Sequence, residues 1–293
     1  MTASPKIKLI ALDLDGTALD GRSRLADETK EALSKAVEAG VHVVIDTGRP
    51  FCALPQDILD FKDIEYVIVS NGARIVHLPS GQLIRNSCLS PEAVDAIYDT
   101  VSKEDFLVEV FTDGKAYMDQ KFRVNIERYG LSTGRNEYLM ATRAGVPDIL
   151  EFLKKNREKI ESVLIDFNND EAKERTWRSL EATGLCTVTT SMRSNIEIGA
   201  LNTSKASGLE TLGEILGVSK KHMMACGDSP NDLEMLKAAG FAVAMGNSDP
   251  EVIEAADFVT KSNIEHGVAH AVYKYVLNTS SGPLEGKLTI ALP

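Results

Sequence analysis

Short apolar segments that end abruptly in Asp, Thr, Asn or Gly recur along the chain, separated by stretches with helical spacing. KIKLIALD (6–13), VHVVIDTG (41–48), EYVIVSNG (65–72) and HMMACGD (222–228) each hold a nearly unbroken apolar run before a polar end. A strand with one wet face alternates apolar and polar residues. An unbroken run fits a strand covered on both faces, as in a parallel sheet crossed by helices. The intervening stretches agree. DETKEALSKAVEA (27–39) sets Leu33, Ala36 and Val37 on one helical face and meets a stop at Gly40. Ala26 holds the expected N-cap slot, where it offers no side-chain acceptor, and Asp27 still favours the first turn.

The middle of the chain has a different rhythm. RIVHLPSGQLIRN alternates around Ser80 and Gly81, and FLVEVFTDGKAYMD does so around Asp113 and Gly114, both hairpin signals. Helices are expected near 90–103, 147–158 and 169–183, with strands at SVLIDF and LCTVTTSM. This mixture predicts an α+β unit with an antiparallel sheet, set inside the first fold. From about 195 the strand–helix alternation returns, through SKASGLETLGEILG, HMMACGD, SPNDLEMLKAAG, FAVAMG, DPEVIEAA, DFVT and EHGVAHAVYKYVL. The expected organisation is a core from 1–84 and 195–280, an inserted domain at 85–194, and a tail at 281–293 that breaks the pattern.

Where the strands end, chemistry-bearing residues gather. DLDGT puts Asp13 and Asp15 two apart as the chain leaves the first strand. In parallel α/β sheets, sites form beyond the carboxyl ends of the strands. Paired carboxylates there suit Mg²⁺, which takes a few carboxylates, waters and phosphate oxygens; a solvated turn is the plainer reading of the same letters. DTGRP offers the Thr47 hydroxyl and the Thr47 and Gly48 amides, a set able to meet an anion. Lys205 opens a predicted helix in NTSKASGL and adds a point charge to that helix end. GDSPNDLEML places Asp228 at a strand end, where it can join the first carboxylates around one cation, with Asn231 and Asp232 positioned to support them. Pro230 suits a first helical turn.

In this order DLDGT, DTGR, the lysine of SKASGL and GDSPNDLEML resemble the four motifs of the haloacid dehalogenase superfamily, in its Cof-type branch of cytoplasmic metabolite phosphatases. NGA at 71–73, VAMGN at 243–247 and FVTKSNIEHGVA at 258–269 are also similar to this branch, and the likeness covers nearly all of 6–278. Within the branch the sugar-phosphate phosphatases are the most similar. The resemblance implies an α/β fold: a Rossmann-like parallel-sheet core with an inserted α+β cap of the C2 type. It implies Asp13 as nucleophile and Mg²⁺ ligand, Asp15 as general acid/base with its backbone carbonyl a second ligand, and Asp228 as the third. It further implies Thr47, Gly48, Lys205 and Asn231 around the substrate phosphate, and Asp232 behind the metal. Ala206 stands where the family often has glycine. The expected activity is hydrolysis of a small phosphorylated metabolite. A phosphomutase would share the first half-reaction. A receiver-type signalling module also combines Asp, Thr, Lys and Mg²⁺, but it is much shorter and lacks the second Asp.

Charge narrows the partners. A net charge of -11 over 293 residues repels nucleic acid and anionic membrane, so neither is an expected partner, and a phosphate site must supply its own positive field. MTASPKIKLIALD meets acid too early for a signal peptide, and no run approaches the ~18 apolar residues of a membrane span. A cytoplasmic location is expected. Cys52, Cys88, Cys186 and Cys226 are irregularly spaced and predict buried, reduced thiols. His266 and His270 are four apart with no third ligand nearby, which favours a packed or exposed helix face over a metal site. Trp177 fits packing within the cap. Arg49 is placed either to reach a leaving group or to close a salt bridge, and Asn71 either to serve the site or to make a turn. Arg123, Asn125 and Arg128 are candidates to meet substrate from the cap.

Overall fold

The computed structural model describes residues 6–124 and 133–278. The first segment carries β1 (Leu9–Leu12), α1 (Asp27–Glu38), β2 (His42–Asp46), α2 (Gln56–Leu59), β3 (Ile64–Val69), β4 (Arg74–His77) and β5 (Gln82–Asn86). There follow α3 (Pro91–Val101), β6 (Leu107–Thr112), β7 (Lys115–Asp119), α4 (Gln120–Val124), α5 (Thr133–Thr142) and β8 (Arg143–Val146). Next come α6 (Ile149–Lys155), β9 (Ile160–Asp166), α7 (Asp170–Glu181), β10 (Cys186–Thr189) and β11 (Asn195–Ala200). The chain closes with α8 (Lys205–Leu216), β12 (Met223–Gly227), α9 (Leu233–Ala238), β13 (Phe241–Ala244), α10 (Pro250–Ala255), β14 (Phe258–Val259) and α11 (Gly267–Tyr275).

The core sheet runs β14-β13-β12-β1-β2-β3-β4-β5, parallel from β14 to β3. Its central strands are buried on both faces, as their unbroken apolar runs require. In β1, Ile10 and Leu12 face α1 and α11, while Leu9 and Ala11 face α8 and α9. Each large aliphatic side chain so buried contributes about 1.5–3 kcal/mol, which is why a four-residue strand can sit immovably at the sheet centre. Ala26 does precede α1 without a side-chain cap bond. The Ser80–Gly81 hairpin belongs to this sheet: β4 and β5 extend it antiparallel at one edge, with β4 covered on both faces and β5 partly exposed.

The second sheet, β10-β11-β9-β6-β7-β8, is antiparallel except for the β7–β8 pair. Its outer face carries Val108, Val110, Val163, Ile165, Ile196 and Ile198 against α3, α6 and α7. Trp177 packs against this cluster. β11 lies beyond the expected boundary at 194 yet is a full member of the second sheet. Its polar side faces the cleft between the two units and its apolar side the cap helices. The cap strand β8 and helices α4 and α5 were likewise unforeseen. Cap and core meet through Arg74 on Glu161 at 2.8 Å, and the Cys52 amide donating to Gly114 at 2.8 Å.

Other expectations are corrected. Only Cys186 and Cys226 are buried; Cys52, beside the cap hairpin, is exposed, and Cys88, in the linker to the cap, is half-buried. Arg123 donates to the Met140 and Arg143 carbonyls and does not line the cavity between cap and core. Asn125, Arg128 and the tail 281–293 lie outside the described residues. His270 contacts Thr260 at 2.9 Å, a packing role on α11. No helix among the described residues is long and apolar enough to cross a membrane.

Candidate active site

Strand register assembles the site. Leu12 pairs with Cys226 on one side and Ile45 on the other, so the residues that follow all leave the sheet at one edge. Those residues are Asp13, then Gly227 and Asp228, then Asp46 and Thr47. The Asp13 amide continues the ladder, donating to the Cys226 carbonyl at 3.1 Å, before the chain turns through Leu14–Ala18. The turn depends on Gly16 at φ 81°, where a Cβ would also lie 2.3 Å from Asp228 Oδ2. Thr17 then donates its hydroxyl to Asp228 Oδ1 at 2.7 Å. Gly72 does the same service for Lys205. A Cβ there, at φ 90°, would stand 2.0 Å from the Ser204 carbonyl, so only glycine lets the start of α8 approach β3. Ser204 caps α8 in a box with Ser207, and Lys205 is the first helical residue.

Lys205 is fully buried and donates to Asp13 Oδ1 and Asp232 Oδ1, each at 2.6 Å. Burial works against its charge, but Asp13, Asp232 and Asp46 outweigh burial and hold the ammonium above its usual range. Burial pushes Asp13 up, and Asp232, Asp228 and Asp15 add to this against the pull of Lys205. Asp46 is pushed up by burial as well, and neither of its oxygens meets a partner among the described residues. Asp232 is otherwise engaged: its Oδ2 accepts from the Asp228 and Ser229 amides at 2.9 and 3.0 Å.

Asp13, Asp228 and Asp232 each offer an oxygen within 4.8 Å of the others. These are hard oxygen donors, gathered around one point. The donor set fits a hard divalent cation. Asp232, already bonded on both oxygens, fits a supporting position better than a ligating one. Burial first, then Asp232, raises Asp228 to about 6, above its ordinary 3.8. A carboxyl raised on folding lowers stability progressively as pH climbs from about 4 to about 6, because the folded state must give up a proton it prefers to keep. Asp228→Asn removes that loss. In the presence of chelator, the variant is therefore expected to gain on wild type as pH rises from 4 to 7. Thermal melts of both proteins across that range check this, and a pH-independent difference between them would contradict it.

Asp15 is half exposed and held by Arg49, whose Nε and Nη2 reach its two oxygens at 2.6 Å. Arg49 makes this salt bridge with Asp15 and also lines the cavity beside Asp13. The same guanidinium lies 4.9 Å from the centre of the Tyr138 ring, on the cap. Thr47 is buried, its hydroxyl accepting from the Arg49 amide, and the Gly48 amide meets no acceptor among the described residues. Asn231 donates to Asn71 Oδ1 at 3.1 Å. Asn71 does make a turn, at φ 51°, and its side chain also donates to Glu197 of the cap. Asp13, Asp15, Thr47, Gly48 and Asn231 line a cavity of about 310 Å³ between cap and core, and Lys205 and Asp232 stand buried behind Asp13. Glu197, Tyr138 and Asp46 were not foreseen. The alternation of Asn195, Glu197 and Gly199 with Ile196 and Ile198 was the available signal for the first.

A 5-amino-6-(5-phospho-D-ribitylamino)uracil phosphatase of Bacillus subtilis, YcsE, is 32% identical over 282 residues, spanning 92% of this chain and 96% of that protein. Another of the same description and organism, YwtE, is 34% identical, over 91% of this chain and 97% of its own. The solved structure of a haloacid dehalogenase-like hydrolase from B. subtilis matches with a TM-score of 0.81 at 30% identity, over 91% and 99% of the two chains. The sequence pattern of that same family extends over residues 10–272, from inside β1 into α11, and so takes in both halves of the core and the inserted sheet. Matched over most of its length by that family's pattern, by curated relatives and by a solved structure, the chain belongs to the haloacid dehalogenase-like hydrolases.

Proposed function

We propose that the chain is a magnesium-dependent phosphatase that hydrolyses small phosphomonoesters, sugar phosphates or similar metabolites, through an aspartyl-phosphate on Asp13. One observation carries the reading: Lys205 is set between Asp13 and Asp232 at 2.6 Å from each, buried behind the Asp13 that lines the cavity between cap and core. An attacking carboxylate and a cation for phosphate oxygens are thereby held side by side. Membership of a hydrolase family supports this reading, and so do two relatives named as phosphatases of a phosphoribityl compound.

In the first step Asp13 bonds to phosphorus as the ester P–O bond breaks, and Asp15 gives a proton to the departing oxygen. In the second, Asp15 takes a proton from water, the water oxygen bonds to phosphorus, and the bond to Asp13 breaks to free inorganic phosphate. Arg49 holds Asp15 against the cavity wall between these steps. The Thr47 hydroxyl, the Gly48 amide, Lys205 and Asn231 are placed to steady the phosphoryl oxygens. Mg²⁺, held by Asp13, Asp228 and the Asp15 carbonyl with Asp232 in support, would remove the repulsion between carboxylate and phosphate.

The purified protein is expected to release phosphate from p-nitrophenyl phosphate and from sugar phosphates. Chelation should stop release and added Mg²⁺ should restore it. Turnover that survives exhaustive chelation would remove the metal from the reading. Interconversion of phosphosugars without free phosphate would replace hydrolysis by a mutase.

A further inference from the structure

The wall opposite Asp13 comes from the inner face of the cap sheet, where Glu109 and Phe111 of β6, Leu164 and Asp166 of β9, and Asn195 and Glu197 of β11 alternate with the apolar outer set. The charges on this wall are paired. Arg135 meets Glu109 and Asp166 at 2.5 and 3.1 Å, Arg143 meets Glu109 at 2.6 Å, and Arg49 is taken by Asp15. Glu197 differs. It is 5% exposed, and its partners are neutral: the Asn71 amide on Oε2, the Ser191 hydroxyl and the Asn195 amide on Oε1. No cation bonds it among the described residues. It also stands over the phosphate loop, since a Cβ on Gly48 would lie 3.0 Å from Glu197 Oε2.

A carboxylate accepts about four hydrogen bonds, and three are filled here. The free position is on Oε2, the oxygen nearest Gly48. Both Gly48 and Glu197 line the cavity, so a leaving group extending from a phosphate on Thr47 and Gly48 has this oxygen as a near neighbour. A hydroxyl there completes the set. A second anion there meets a carboxylate that no cation bonds among the described residues, the arrangement by which interfaces reject wrong partners. We infer that Glu197 is a specificity-determining residue: it accepts a hydroxyl of the leaving group and excludes phosphomonoesters whose leaving group is itself anionic. This rests on the phosphatase reading above and goes beyond it, to the charge class of substrate.

The test uses Mg²⁺-loaded wild type and Glu197→Gln with substrates matched in size and unmatched in charge: glycerol 3-phosphate against 3-phosphoglycerate, and glucose 6-phosphate against 6-phosphogluconate. p-Nitrophenyl phosphate serves as reference. Wild type is expected to favour the neutral member of each pair by about 10-fold or more in kcat/KM, the low end of what pocket contacts discriminate. Glu197→Gln, which keeps shape and loses charge, should shrink that ratio about 10-fold. A purely structural tie between Glu197 and Asn71 would lower both members together and leave the ratio alone, and that result overturns the inference. Where the variant fails to fold, the wild-type ratios decide, and equal or reversed values overturn it. Absence of phosphate release even from p-nitrophenyl phosphate would overturn the phosphatase reading and this inference with it.

Discussion

Asp13→Asn is expected to reduce phosphate release by on the order of 10⁴-fold or more, the scale seen when an enzyme loses the atom that forms its covalent intermediate. An amide oxygen cannot take its place, because the resulting acyl-phosphate analogue would carry positive charge in the middle of the site. The fold is expected to survive unharmed. Asp13 is buried and raised, so its carboxylate is held at an energetic disadvantage in the metal-free protein. Asparagine is nearly isosteric, and its oxygen can still accept from Lys205. The metal-free variant should thus melt no lower than wild type. Phosphate release, a melting curve, and a search for label trapped from a ³²P-phosphoester together make the check. Wild-type turnover, or a trapped phosphoryl group in the variant, would assign the nucleophile elsewhere.

The convergence of the candidate residues could be read from sequence where backbone order alone places them. Asp13, Asp15, Thr47 and Asp228 each come within a few residues of an apolar run, and parallel strands in register bring all their ends to one edge. No side-chain reach has to be guessed. Lys205 was visible as the first residue of a helix, but its bridging of Asp13 and Asp232 depends on Gly72, a residue more than a hundred positions away that lets α8 come close. The cap was legible only as a change of rhythm. Its strand order, with β9 between β11 and β6, joins residues far apart in sequence. Its inner face is polar because it borders a cleft, so Glu109, Asp166 and Glu197 read as solvent-facing although all three are buried. Arg49 shows the same limit: both of its readings were chemically sound, and its pairing depends on where Asp15 and Tyr138 lie in space.

Lys205→Met is expected to damage stability as well as turnover, the opposite pattern to Asp13→Asn. Lys205 is the ammonium on which Asp13, Asp232 and Asp46 all lean. Removing one member of a buried ion pair costs about 3–5 kcal/mol, because the partner charge is left behind without water. In a chain of this size each kcal/mol moves the melting temperature by roughly 2–4 °C, so metal-free Lys205→Met should melt about 6–20 °C below wild type. Two further results separate this cause from lost packing. Stripped of the lysine, the Asp13 and Asp46 carboxyls rise further above their ordinary values, so the deficit is present at high pH and should shrink as pH falls and they take up protons. Adding Asp13→Asn to Lys205→Met should recover part of the loss, since one stranded carboxylate is gone, and a double-mutant cycle measures that coupling. A packing defect would show neither response. A melting temperature within about 1 °C of wild type would mean that the buried carboxylates are neutral or hydrated without Lys205, and the electrostatic account of this site would fail.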